Sequence, residues 1–318
     1  MSPPRLPALD RQLGGRRVLV TGGSGFIGSR VVEELCRAGA QVVSVDRRRL
    51  WWRSPVSCRV EECDIRTNRL AELIVEFAPH VVVHLAAQVG VPESARCPAV
   101  DAEVNVRGTI TVAEAAAAAG TELLVFAGSC AIYGVVTDLP VREDHPLAPI
   151  TPYGLSKAAA LGYVEWFARH RGLPVTSLIL GNVYGPPRQA CHGGVITRFF
   201  TDAAEGRAST LHGDGCATRD FVHVDDVTDA VLRACVLPAA GRVNIRSGTE
   251  TSIAHVRALV GAATGQAIPP VHGEALPGDI RRMCLRIDRA ARLLNWSPRT
   301  ALTEGIAALV PGEMGVSA

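Results

Sequence analysis

Lysine is almost missing from this chain. Of 33 Lys plus Arg in 318 residues, one is lysine, Lys157. Aromatic residues make up only 5%, charged residues 20%, and the formal net charge is +2. So small a charge supplies no bulk field for nucleic acid or an anionic membrane. The run Arg47-Arg48-Arg49 is short and reads as a solvated turn. No apolar run approaches the roughly 20 residues that a membrane helix needs. The nine cysteines form no CxxC pair, and Cys, His and acids never cluster at metal-ligand spacing, so no metal site is expected. The opening MSPPRLPALDRQLGGRR reads as a Pro- and Arg-containing tail with no signal-like apolar stretch. Reduced thiols in a cytoplasmic protein are the expectation.

What is present is core material. Hydrophobic residues reach 47%, and the length allows two lobes. Apolar, β-branched runs read as buried strands at RRVLVTG (16–22), AQVVSVD (40–46), HVVVHLA (80–86), ELLVFAG (122–128) and PVTSLILG (174–181). Helical patterns separate them, among them the alanine-rich EAAAAAG (114–120). This alternation predicts an α/β fold, a doubly wound parallel sheet with helices on both faces. After about residue 185, Pro and Gly break the rhythm, and shorter helices are predicted near 195–206, 225–236 and 252–264. The expected division is residues 14–182 as the first, doubly wound domain and 183–318 as a smaller lobe, with about 220–250 returning to the first.

Doubly wound sheets bind ligands beyond the carboxyl ends of their strands. After the first strand comes TGGSGFIGS, with Gly22, Gly25 and Gly28 opening a helix. Glycines let the backbone approach a pyrophosphate at the helix N-terminus, where free N–H groups and the dipole favour an anion. Asp46 stands 18 residues after Gly28, at the end of the second strand. A carboxylate there accepts from ribose hydroxyls and repels a 2′-phosphate, which favours NAD over NADP. Asp64 and Ile65, after a further apolar segment, suit an adenine pocket. HLAAQ places small Ala86 and Ala87 against the cofactor, and His84 reads as a satisfied core histidine.

Ser129 ends the strand in GSCAIYG, and PYGLSK carries Tyr153 and Lys157 at i and i+4 on one helix face. An ammonium beside a phenol lowers its pKa from about 10 and makes it a general base. Ser129 shares the same substrate oxygen. A compact ammonium bonds ribose hydroxyls where a planar guanidinium fits poorly. Cys130 reads as a small pocket wall.

With these residues assembled, the chain resembles the extended short-chain dehydrogenases/reductases, in the NAD-dependent epimerase/dehydratase family acting on nucleotide sugars. TGGSGFIGS, HLAAQ, NVRGT, GSCAIYG, PYGLSK, LGNVYGP, GDGCATRDFVHVDDV, NIRSGTETSI, PGDIRR and LLNWSP carry the resemblance from about residue 16 to about 305. It implies a Rossmann lobe for NAD, a second lobe for a UDP-sugar, and a homodimer packed through 104–119 and 158–168. By the same resemblance Tyr153 is the base, Ser129 its partner, and Lys157 the holder of the nicotinamide ribose. Cofactor contacts are implied at Gly22, Gly25, Phe26, Ile27, Gly28, Asp46, Arg47, Asp64, Ile65, Leu85, Ala86, Ala87 and Asn105. Substrate contacts are implied at Ser94, Ser129, Cys130, Asn182, Arg188, Val195, Arg219, Arg282 and Met283.

The family removes a hydride to NAD, usually from C4. Its dehydratases and decarboxylases usually place an acid shortly after the catalytic Ser or Thr; here Cys130 and Ala131 follow. The implied reaction is therefore C4 epimerisation, of the UDP-glucose/UDP-galactose type or on UDP-glucuronate. A 4-ketoreductase or 4,6-dehydratase on a deoxysugar nucleotide is the alternative. Relatives acting on UDP-glucuronate usually carry an arginine at the place of Pro92 or after Gln189, and this chain has neither. Four positions depart from the family pattern. Ile179 stands for an arginine, Arg246 for a glycine and Leu276 for an arginine. Met283 falls where a residue shapes the sugar pocket.

Overall fold

The computed structural model describes residues 7–48, 58–186, 194–274 and 280–310. The strands are β1 (Arg17–Thr21), β2 (Gln41–Asp46), β3 (Cys58–Glu62), β4 (Val81–His84), β5 (Leu123–Ser129), β6 (Val175–Leu180), β7 (Asn182–Tyr184), β8 (Ser209–His212), β9 (Thr218–His223), β10 (Gly241–Asn244), β11 (Glu250–Ser252) and β12 (Pro270–Gly273). Seven form one sheet in the order β10-β6-β5-β4-β1-β2-β3. Every neighbouring pair in it is parallel. The order in which strands are added reverses between β1 and β4, the switch point at which such sheets open a ligand crevice at the carboxyl ends of the strands.

The helices are α1 (Pro7–Leu13), α2 (Gly28–Arg37), α3 (Asn68–Phe77), α4 (Val91–Arg96), α5 (Pro98–Ala102), α6 (Gly108–Ala118), α7 (Pro152–His170), α8 (Val195–Ala204), α9 (Val224–Val236), α10 (Ile253–Thr264), α11 (Asp288–Leu294) and α12 (Leu302–Ala307). Successive strand residues point to opposite faces, and both faces are covered. On one side Val18, Val20, Val81 and Val83 pack with α1, α2, α9 and α11. On the other, Leu19, Val82, Leu124 and Phe126 pack with α3, α6 and α7. A third core joins Tyr184, Phe199, Phe221, Val256 and Ile306 among α8, α10 and α12. It is flanked by the small sheets β11-β9-β7 and β12-β8.

Two readings of the sequence change. The expected tail contains α1, whose Leu9 and Leu13, spaced i and i+4, are buried in the first core. The main sheet also gains β10, and the further apolar segment before Asp64 forms β3. β3 is an edge strand, CRVEE, with no fully buried residue. β10 is the four-residue GRVN at the other edge, too short to carry a period. Among the described residues, no helix is long and apolar enough to cross a membrane, and no group of three His, Cys, Asp or Glu is placed to hold a metal ion.

Candidate active site

The glycine loop is a close-packed turn. Gly22 has φ +74°, and a Cβ there would lie 2.6 Å from Ala86 N. A Cβ on Gly28 would overlap the Gly22 carbonyl. The turn after β1 therefore lies against Leu85 and Ala86 after β4. Phe26 and Ile27 lead into α2, whose N-terminus has no side-chain cap and no acid in its first turn. Asp46 stands beside the loop: Ser24 N donates to its Oδ2 at 3.0 Å and Arg48 N to its Oδ1 at 3.2 Å. Arg47 is exposed. Asp64 is held by Arg66 at 2.6 Å, which keeps its carboxyl below the usual range. Ile65 is buried against Gly108. A tight anion-receptive turn with a carboxylate at the ribose position fits a dinucleotide lacking a 2′-phosphate.

The catalytic candidates meet where β5 ends against α7. Thr151 caps α7, its hydroxyl accepting from Gly154 N at 3.1 Å, and Pro152 opens the first turn. Ser94, fully buried on α4, accepts from Tyr153 N at 3.1 Å and donates to Val91 O at 2.8 Å. Its hydroxyl thus anchors the helix that carries the tyrosine. Ser129 Oγ accepts from Ala131 N at 3.2 Å, and its hydroxyl hydrogen-bonds the Tyr153 phenol. Lys157 is buried, with Nζ 4.7 Å from the Phe126 ring centroid.

The electrostatics differ from the sequence expectation, in which the lysine lowers the tyrosine. Burial instead pushes Tyr153 up to about 12, against the hydrogen bond from Ser129. Burial also pulls Lys157 down to about 8, against the charge of Asp101. Desolvation disfavours the charged form of both groups, and at this depth it outweighs the Ser129 hydrogen bond to the phenol and the Asp101 charge near the ammonium.

Asn105 lies on a short π-helix, Glu103–Arg107. Its Nδ2 donates to Gln88 O, Asp101 Oδ1 and Ser156 Oγ at 3.0, 3.1 and 3.0 Å, and its Oδ1 accepts from Gln88 N at 2.8 Å. It ties the loop after β4 to α7. Asp101, which no motif marked, is buried with Oδ2 unpartnered. Its i, i+4 spacing to Asn105 was the available signal. His84 is the core histidine expected: Thr21 and Thr109 hydroxyls lie 2.7 and 3.0 Å from its ring nitrogens, and burial pulls it down to about 3.

The substrate-side candidates scatter more. Asn182 begins β7 and pairs in register with Phe221 of β9. Arg219, on β9, donates to the Thr218 and Ile280 carbonyls at 2.7 and 2.6 Å. Val195 opens α8. Arg282 is forked on Glu250 at 2.7 Å by two nitrogens, and Arg281 likewise holds Asp214. Both guanidinia therefore already have carboxylate partners. Met283 is 1% exposed and sits in the core with Leu285 and Ile179, so it is core filling and not an open pocket wall. Arg188 and Leu276 lie outside the described residues. Cys130 is half-buried, and Arg246 Nη2 lies 2.6 Å from its Sγ.

The profile of the NAD dependent epimerase/dehydratase family matches residues 18–246. A UDP-glucose 4-epimerase from Mycolicibacterium smegmatis is 40% identical over 306 residues, covering 92% of this chain and 97% of its own. The UDP-glucose 4-epimerase of Thermus thermophilus, solved with NAD, superposes with a TM-score of 0.87 at 36% identity, over 95% of this chain and 100% of that one. MoeE5, solved with NAD and UDP-glucuronic acid, gives 0.84 at 33% identity, over 92% and 96%. The fold agrees with these likenesses, and the chain belongs to the NAD dependent epimerase/dehydratase family.

Proposed function

We propose that this protein is an NAD-dependent UDP-sugar 4-epimerase working through a transient 4-keto sugar. The observation that carries the reading is the placing of Ser129, at the carboxyl end of β5, with Tyr153 and Lys157 on α7 that packs on it, at the same end of the sheet as the Gly22–Gly28 turn after β1. Bound NAD would supply a reversible hydride acceptor for C4 of the sugar. Tyr153 removes the proton of the 4-hydroxyl, and Ser129 hydrogen-bonds the same oxygen. Lys157 holds the nicotinamide ribose, and its charge favours the phenolate. Gly22, Gly25, Phe26, Ile27 and Gly28 receive the pyrophosphate, Asp46 the adenosine ribose, and Asp64 with Ile65 the adenine. Asn182 and Arg219 face the sugar diphosphate. Cys130 and Ala131 offer no proton carrier suited to dehydration. That absence favours inversion at C4, in which the keto sugar would present its other face to the cofactor.

In the same reading, residues 14–182 hold the cofactor and the chain from 183 onward holds the sugar nucleotide, with 220–250 returning. β10, on the main sheet, supports that return. The protein works in the cytoplasm, which suits its eight described free cysteines. It works as a homodimer. Proton NMR of UDP-galactose, UDP-glucose and UDP-glucuronate, each with the purified protein and a trace of NAD, tests the reaction. A C4 epimer is expected without added reductant. A 4-keto-6-deoxy product, or net loss of reduced cofactor, would replace epimerisation by dehydration or reduction.

A further inference from the structure

Arg246 is a buried cation for which the chemistry above has no use. It follows β10, is fully buried, and an arginine stays protonated wherever the protein folds. Among the described residues no carboxylate lies within ion-pair distance of it. Nη1 donates to the Asp220 carbonyl, Nη2 meets the Cys130 thiol at 2.6 Å, and Nε has no partner. The Asp220 carboxylate is saturated elsewhere, by Ser247 N and Oγ, Gly248 N and Leu285 N. A buried guanidinium without an anion is costly unless a ligand brings one.

Its position says which ligand. A Cβ on Gly181 would overlap the guanidinium, so the charge fills the place of a side chain between β6 and Asn182. The alternation along β10 puts Val243 and Ile245 in the first core. Asn244 meets Tyr133 and Val141 of the second, and Arg246 therefore continues on the α7 side. It touches Cys130, the residue after Ser129. The guanidinium thus stands at the carboxyl edge of the sheet, one half-buried side chain from the hydroxyl that serves Tyr153.

We infer that Arg246 recognises a carboxylate on the carbon next to the reacting one, and that the preferred substrate class is a UDP-hexuronate. This rests on the reading of the protein as a UDP-sugar 4-epimerase. If Ser129 and Tyr153 hold the 4-hydroxyl, the C5 substituent is the neighbouring group and falls toward residue 130. In a hexose that group is a hydroxymethyl. In a hexuronate it is a planar anion that suits the guanidinium fork. Nη2 would exchange a thiol, a weak acceptor, for a carboxylate oxygen. The missing arginines at Pro92 and after Gln189 argue against a uronate only if the cation must come from those segments, and here it comes from β10.

The test is calorimetric binding of UDP-glucuronate and UDP-glucose to the NAD-loaded protein. The wild type should bind the uronate on the order of tenfold tighter or more. Arg246→Met should bring the ratio toward one. Equal or weaker uronate binding by the wild type, or a ratio unchanged in the variant, would overturn the inference. If Arg246→Met does not fold, the wild-type ratio decides alone. Epimerisation by NMR separates the two claims. Turnover of UDP-glucose with no binding preference sinks the uronate inference and leaves the epimerase reading. A uronate preference without turnover does the reverse. Failure to bind either sugar nucleotide sinks both.

Discussion

Burial pulls Tyr153 and Lys157 toward their neutral forms, up to about 12 and down to about 8. The pH profile should carry both marks. Below the tyrosine value the phenolate fraction rises tenfold per pH unit, so kcat/KM at saturating NAD should climb from pH 6. The climb should flatten near pH 8, where the lysine loses the charge that favours the phenolate. Lys157→Met should shift the rising limb to higher pH and cost about 100-fold at pH 7; an unchanged profile would remove the lysine from the proton step. Tyr153→Phe should abolish turnover, read by NMR, while NAD binding persists in calorimetry. The Gly22–Gly28 turn, Asp46 and the Tyr153–Lys157 pair were legible because each is a local spacing. Asp101 had only its i, i+4 spacing to Asn105, which no motif marked, and the contact of Arg246 was not legible at all. Arg246 meets Cys130 across 116 positions, and no window of sequence carries that contact.

His84 locks three elements together, β4 to β1 through Thr21 and to α6 through Thr109. It must be neutral to stay there, at about 3 against an unfolded value near 6.5. The folded value is the lower one, so the unfolded chain binds the extra proton first. Stability is therefore full above about 6.5 and falls as the pH drops toward 3, by about 1.4 kcal/mol per unit. Denaturant melts of the wild type should lose about 3 kcal/mol between pH 6.5 and 4 beyond any loss in His84→Gln. Parallel curves for the two proteins would refute this. The element scale is also where the sequence misled. The i, i+4 pair Leu9 and Leu13 was present in the supposed tail, but about two turns of helix give too few periods to stand out. Tertiary packing on α9 makes α1 a helix. β10 was hidden for a similar reason: its partner β6 lies far back in the chain.

At the scale of the whole molecule, α7 has two jobs on opposite sides. Inward, Lys157, Ala160, Leu161 and Val164 are buried under the site and the sheet. Outward, Leu155, Tyr163 and Trp166 are 57%, 44% and 43% exposed. With exposed Ala159 and Gly162 they form a stripe at helical spacing, large side chains beside small ones. Val100 of α5 is exposed as well. A contiguous apolar stripe on a helix calls for a cover, and a second copy of the same stripe supplies one through a two-fold axis. Dimerisation would then brace the helix that aims Tyr153 and Lys157. Trp166→Asp places a charge in that contact, at the C-terminal end of the stripe. Light scattering during gel filtration should show the wild type at twice the 33.6 kDa chain mass and the variant at the chain mass. A wild type that already runs as a monomer would end the proposal. A monomeric variant with undiminished turnover would show that the site is complete in one chain and the bracing is dispensable.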